Sequence, residues 1–214
     1  MHSAGLEDLW DERARLVELL EVVEWLQPQP LATSVPPSSA GIYVLTFRKS
    51  KLRCYSKAVS TGWPVYVGSA MDLRQRVSDH RVKLGRIRNI DLASVTVSTV
   101  TAPSLASAVY AERLLIDTYK SAWNAPWMAG FGSRKLGANR SGQMRSPFAR
   151  FHPLVGEISP GSDRELRLRL IGHLEETCRE RRLHLERSET TCPASSRLRL
   201  VKTPMPDAPA APSW

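Results

Sequence analysis

The chain has 214 residues, room for one sizeable domain with appendages, and its 42% hydrophobic and 24% charged residues exclude a disordered polymer. A total of 30 Lys and Arg against 21 Asp and Glu gives a net charge of +9 at pH 7. That excess favours a polyanionic partner, nucleic acid or an anionic membrane surface, and no apolar run is long enough to span a bilayer. The acidic start, MHSAGLEDLWDERARL, lacks the basic-then-apolar order of a signal peptide. Cys54, Cys178 and Cys192 form no CxxC pair and suit a reduced, cytoplasmic setting, with neither a disulfide framework nor a zinc site. The charge is uneven: residues 1–40 carry a net of −5, residues 41–160 of +12 and residues 161–214 of +2. The binding surface is therefore expected in the middle of the chain.

Leu9, Leu16, Leu20 and Val23 recur at helical spacing and predict a helix over about 6–26, with Glu7, Asp8, Asp11 and Glu12 in its first turns. Gln27-Pro28-Gln29-Pro30 and Pro36-Pro37-Ser38-Ser39 end that helix and make a linker. Segment 1–38 is thus expected to be an accessory helix and linker, packed on the core or on a second subunit. Strands are predicted at 41–47 (GIYVLTF) and 64–68 (PVYVG), an antiparallel pair joined by a basic connection. Asp72 caps a helix to about Leu84; residues 93–100 alternate as a third strand; Ser104 opens a helix through Glu112 to Tyr119. The order β-β-α-β-α predicts an α+β domain over 39–160, with a small three-stranded antiparallel sheet flanked by helices.

Residues 127–152 contain four glycines, Arg134, Lys135, Arg140, Arg145 and Arg150, and no acid, which predicts a long basic loop. A capping box at Ser162-Asp163-Arg164-Glu165 opens a C-terminal helix to about Glu186, within an extension over 161–202. Residues 203–214 read as a disordered tail.

Singly, the polar residues of the middle segment are weak signals. Tyr43 and Tyr66 are strand formers, Arg76 and His80 share a helix face as many solvated pairs do, and Glu112 on an apolar helix would ordinarily snorkel. Their order is more telling. Gly41-Ile42-Tyr43, then Tyr66-Val67-Gly68-Ser69, Arg76 eight residues after that glycine, His80 four later and a downstream helical Glu112 resemble the GIY-YIG nuclease superfamily over about residues 40–125. The 23-residue step from Tyr43 to Tyr66 is longer than the compact family hairpin, and Lys49–Trp63 reads as an insertion. Farther on, Asn124, Gly130-Phe131-Gly132, Arg140, Ser146-Pro147-Phe148 and His152-Pro153 resemble the Type II restriction endonuclease branch that recognises CCGCGG.

The resemblance implies a Mg²⁺-dependent, site-specific double-strand DNA endonuclease, with Mn²⁺ a plausible substitute. Tyr43 would activate water with His80 taking or relaying the proton, and Tyr66 would hydrogen-bond the phosphate or the water. Arg76 would face the non-bridging oxygens, and Glu112 would be the single carboxylate on the metal, which keeps much of its hydration shell. Asn124 would donate near Glu112 or the phosphate. Arg134, Lys135, Arg140 and Arg145 are candidate base or phosphate contacts, since arginine pairs bidentately with guanine. Arg74 and Arg81, with Lys83, Arg86 and Arg88, lie beside the predicted catalytic helix as candidate phosphate contacts. One centre per chain and a palindromic site imply a homodimer, and the resemblance also implies functional pairing with a DNA methyltransferase. The alternatives are a repair, mobile-element or homing nuclease on the same module, or a catalytically inactive DNA-binding protein.

Overall fold

Residues 41–47 form the central strand of the sheet because nearly every side chain in the run is apolar, so both faces can be covered. The computed structural model describes residues 27–132, 145–156 and 164–191. The predicted N-terminal helix, Arg134, Lys135, Arg140, the Ser162-Asp163 start of the capping box and the 203–214 tail lie outside the described residues. Strands and helices are numbered here in chain order.

β2 (Gly41–Phe47) pairs antiparallel with β3 (Tyr66–Ala70) on one side and with β4 (Val95–Thr101) on the other. A fourth strand corrects the three-stranded expectation. β1 is only Gln29–Pro30, paired with Val97 and Thr96 at the free edge of β4, giving the order β1-β4-β2-β3. The Leu31 amide extends this contact, donating to the Val95 carbonyl at 2.9 Å, and its side chain is buried. Proline cannot donate to a ladder and is tolerated at an edge, so a proline-rich linker composition conceals a strand of this kind.

The expected basic connection between β2 and β3 is partly helical. A 3₁₀ turn at Arg53–Tyr55 leads into α1 (Ser56–Thr61), which ends at Gly62 in the left-handed region. This insertion buries Cys54, Tyr55 and Ala58, and Tyr55 packs 4.9 Å from Phe47 between ring centroids. It is therefore part of the core.

α2 (Leu73–Gly85) starts where predicted, with Asp72 accepting from the Gln75 amide at 3.0 Å. Leu73, Val77 and Leu84 face inward. α3 (Leu105–Tyr119) is capped by Ser104 and packs along β3 and β2, burying Ala108, Leu115 and Tyr119. Within the basic segment a 3₁₀ turn (Pro126–Met128) and α4 (Pro147–Phe151, capped by Ser146) supply local structure. α5 runs Arg164–Thr191, past the predicted end, with Leu166, Leu170, Leu174 and Cys178 buried at four-residue spacing. The chain divides at Arg179: the unit through Arg179 holds the sheet and helices, and the unit from Glu180 is described only where α5 continues to Thr191. Among the described residues no helix is long and apolar enough to cross a membrane.

Candidate active site

The β2–β3 register places Tyr43 opposite Gly68 and Leu45 opposite Tyr66. Tyr43 and Tyr66 are thus diagonal neighbours on one sheet face, with ring centroids 5.9 Å apart. Gly68 makes it possible. A Cβ at Gly68 would collide with the Tyr43 hydroxyl and ring, so the absent side chain is the space that the tyrosine occupies.

From α2, Arg76 and His80 reach the same hydroxyl, being one turn apart on one face. Tyr43 Oη lies 2.7 Å from His80 Nε2, and Arg76 Nε donates to it at 3.2 Å. Because Arg76 can only donate, both contacts are satisfied when the Tyr43 hydroxyl gives its own proton to an unprotonated Nε2; this tautomer is assigned from the hydrogen-bond network. Burial supports that state. It pushes the Tyr43 phenol well above 10, aided by Tyr66 and opposed by Arg76, and it raises Tyr66 too. Burial, with the charges of Arg76 and Lys83, lowers His80 to about 3. The resting cluster is a neutral phenol against a neutral imidazole.

A loop outside the expected site residues closes over this cluster. Phe131 stacks on His80 at 4.7 Å between centroids and 16° between planes, and sets its edge to Tyr66 at 4.7 Å. Arg76 Nη2 donates to the Gly132 carbonyl at 2.8 Å. A Cβ on Gly132 would strike the Tyr66 hydroxyl, so this residue too is small by necessity. Lys83 Nζ donates to the Gly130 carbonyl at 3.1 Å and also to that of Phe131. Burial first, then Arg76, lowers the Lys83 ammonium to about 8. The Gly130-Phe131-Gly132 run was the available signal for this loop, but only proximity in space connects it to His80.

Glu112, half-buried on α3, accepts a 2.6 Å hydrogen bond from the Ser69 hydroxyl at Oε2. Its charge is close enough to help raise Tyr66. No group of three or more His, Cys, Asp or Glu that could hold a metal occurs among the described residues. A single oriented carboxylate beside a hydroxyl fits a hard, largely hydrated cation.

Asn124 sits differently from expectation. Its Oδ1 accepts from the Val67 amide at 2.9 Å and its Nδ2 donates to the Val67 carbonyl at 2.8 Å, while the Trp123 amide donates to Val65 O at 2.9 Å. The side chain substitutes for a neighbouring strand along the outer edge of β3, and so holds Tyr66 and Gly68 in register. Neither bond goes to Glu112.

Several cations expected on DNA already have protein partners. Arg74 Nε donates to Pro36 O at 3.1 Å, and Arg81 donates to Leu31 O at 2.9 Å and to Ser34 O. Together they hold the segment between β1 and β2 against α2. Arg86, Arg88 and Arg145 are exposed.

A second buried histidine organises the far side of Phe131. The Trp123 indole N–H donates to Tyr55 Oη at 2.8 Å, Tyr55 Oη lies 2.8 Å from His152 Nε2, and His152 Nδ1 lies 2.8 Å from Asn89 Oδ1. One neutral tautomer satisfies the whole chain, with Nδ1–H donating to Asn89. Burial lowers His152 to about 3.

Both histidines fold as neutral rings, whereas an unfolded histidine titrates near 6.5. Between those values the unfolded chain binds more protons, so stability is fully present above about pH 6.5 and is lost as pH falls. The loss is on the order of 2 kcal/mol per histidine at pH 5. Thermal melts at pH 7 and pH 5 are therefore expected to differ by roughly 10 °C, with the lower midpoint at pH 5. A flat midpoint across that window would show that the two rings are not held neutral.

Residues 57–159 match the family model described as the Eco29kI GIY-YIG domain. The matched stretch contains Tyr66, Arg76, His80, Glu112 and Asn124, and it begins after Tyr43. Among solved structures the chain is similar to the GIY-YIG N-terminal endonuclease domain of UvrC from Thermotoga maritima bound to its catalytic divalent cation, magnesium. The identity is 20%, with 50% of this chain and 97% of that chain covered and a TM-score of 0.28. It is also similar to a point mutant of that domain bound to its catalytic divalent cation, at 19% identity, with the same coverage and TM-score. No curated protein matches the chain.

Proposed function

Proceeding from the similarity of residues 57–159 to the Eco29kI GIY-YIG domain model, we propose that the protein is a Mg²⁺-dependent, site-specific double-strand DNA endonuclease of restriction type. The observation that carries the reading is the Tyr43 hydroxyl held between Arg76 and His80, with Tyr66 beside it and Glu112 fixed by Ser69. A binding module has no need of a buried acid–base set of this kind.

Hydrolysis of a phosphodiester requires a positioned water, stabilisation of charge on the non-bridging oxygens and protection of the leaving 3′ oxygen. Tyr43 orients the water. As the water loses its proton to Tyr43 Oη, the phenolic proton passes to His80 Nε2, so neither phenol is required to be ionised at rest. Tyr66 hydrogen-bonds the phosphate or the water, and the guanidinium N–H groups of Arg76 beyond those used on Tyr43 and Gly132 face the non-bridging oxygens. Glu112 would hold Mg²⁺, or Mn²⁺ in its place, and the chemistry supplied there is charge neutralisation at the scissile phosphate and the leaving oxygen.

The +12 net charge of residues 41–160 suits a DNA face around this centre. Arg134, Lys135, Arg140 and Arg145 are the proposed contacts of the basic segment, and a G/C-rich palindrome such as CCGCGG is the proposed site. A homodimer would present two centres to the two strands, and a companion DNA methyltransferase would protect the host sequence. Arg145→Ala is expected to weaken specific binding about 10-fold or more and non-specific binding little, as for a base contact. Equal loss on both DNAs in a gel-shift titration would make Arg145 a phosphate contact.

Incubating the protein with plasmid DNA and Mg²⁺ tests the function. Discrete fragments support a site-specific nuclease. A smear, or nicking confined to flaps, would favour a repair or mobile-element activity, and an intact plasmid with a retained gel shift would make the protein a binder.

A further inference from the structure

Three hydrogen bonds run from one face of α2 to one short loop. Lys83 holds the carbonyls of Gly130 and Phe131, and Arg76 holds that of Gly132. Between them Phe131 lies flat on His80 and edge-on to Tyr66. The Lys83 ammonium stands 5.0 Å from the Phe131 centroid and 5.8 Å from that of Phe148. Arg76, His80 and Lys83 follow at spacings of four and three, so one helix face touches the catalytic hydroxyl and the loop above it.

An ammonium has three N–H donors, and two of those of Lys83 go to consecutive carbonyls over an aromatic cluster. A phosphate-reaching lysine is instead a solvated point charge on a mobile stem. The loop also lies within the basic segment 127–152, with Arg134 only two residues beyond Gly132 in the sequence.

We propose that Lys83 is a positioning residue that clamps the Gly130–Gly132 loop, keeping Phe131 stacked on His80 and the Gly132 carbonyl on Arg76. The proposal rests on the phosphodiesterase reading above. It replaces the phosphate contact that the sequence suggested for Lys83: the lysine acts through the loop on turnover and does not hold DNA.

Lys83→Met keeps the aliphatic stem against Phe131 and removes the donors; Lys83→Arg restores charge and donors. In single-turnover cleavage at saturating DNA, Lys83→Met is expected to be slower by about 10- to 100-fold, as for misplaced catalytic groups. Its Kd for DNA in Ca²⁺ should stay within about twofold of the parent protein, and Lys83→Arg should recover most of the rate. Hydrogen exchange of the amides at 130–132 should quicken by about 10-fold in Lys83→Met without a general change elsewhere. If Lys83→Met proves poorly folded, Phe131→Leu, which leaves Lys83 in place and removes the stack on His80, should reproduce the rate loss at unchanged Kd.

A raised Kd with a shallower salt dependence and an unchanged saturating rate would overturn the proposal and restore the phosphate role. Unchanged exchange at 130–132 would likewise reject the clamp. The exchange measurement needs no cleavage, so a parent protein that cuts no DNA would reject the phosphodiesterase reading separately.

Discussion

Glu112→Ala is expected to lower single-turnover cleavage by about 10³-fold or more while leaving specific DNA binding, measured in Ca²⁺, near that of the parent protein. The carboxylate is half-buried on α3, accepts a hydrogen bond from Ser69 and adds to the field on Tyr66, so its geometry is set before substrate arrives. It is also the single carboxylate assigned to hold the divalent cation in this reading. Its loss leaves the charge on the scissile phosphate and the leaving oxygen without a compensating cation. Truncation to alanine at a partly exposed position deletes one hydrogen bond to a serine hydroxyl, which costs only about 1 kcal/mol of stability. Binding should therefore survive where catalysis does not. Undiminished cutting would remove Glu112 from the centre.

Tyr43→Phe is expected to slow cleavage by about 10²- to 10⁴-fold with near-normal DNA affinity. The ring would still fill the notch above Gly68 and pack on Tyr66 and His80. What disappears is the one oxygen shared by Arg76 and His80. The buried His80 and the half-buried Arg76 then lose a partner, which costs about 1–3 kcal/mol of stability, so the variant should also melt at a lower temperature. A wild-type cleavage rate would reject the role of Tyr43 in positioning water.

The strands were readable where one pattern dominated. GIYVLTF could be little else than a strand buried on both faces, and Asp72 and Ser104 marked helix starts by capping chemistry that acts within four residues. β1 was not readable, because Gln29–Pro30 is a strand only by virtue of the β4 edge it lies against. α1 was hidden for a related reason: six mostly polar residues show no period, and Tyr55 and Ala58 are buried by contacts made elsewhere in the chain.

The candidate site divides in the same way. The Tyr43–Tyr66 approach follows from a hairpin register, and the pairing of Arg76 with His80 follows from helical spacing, both of which are local rules. The Phe131 stack, the Lys83 clamp and the pinning of Asn124 to Val67 join residues 47 to 57 positions apart. No periodicity encodes such contacts. Asn124 shows the consequence: the expectation is a donor near Glu112 or the phosphate, whereas its amide bonds the edge of β3 at Val67.

The most direct measurement is cleavage of a plasmid in water enriched in heavy oxygen, with Mg²⁺ and enzyme in excess, followed by analysis of the fragment ends. Attack of a Tyr43-oriented water on phosphorus, with departure of the 3′ oxygen, predicts 5′-phosphate ends carrying one heavy oxygen, 3′-hydroxyl ends, and product from Glu112→Ala formed about 10³-fold or more slowly. Ends bearing 3′-phosphate, unlabelled 5′-phosphate, or fragments formed equally well by Glu112→Ala would contradict the account.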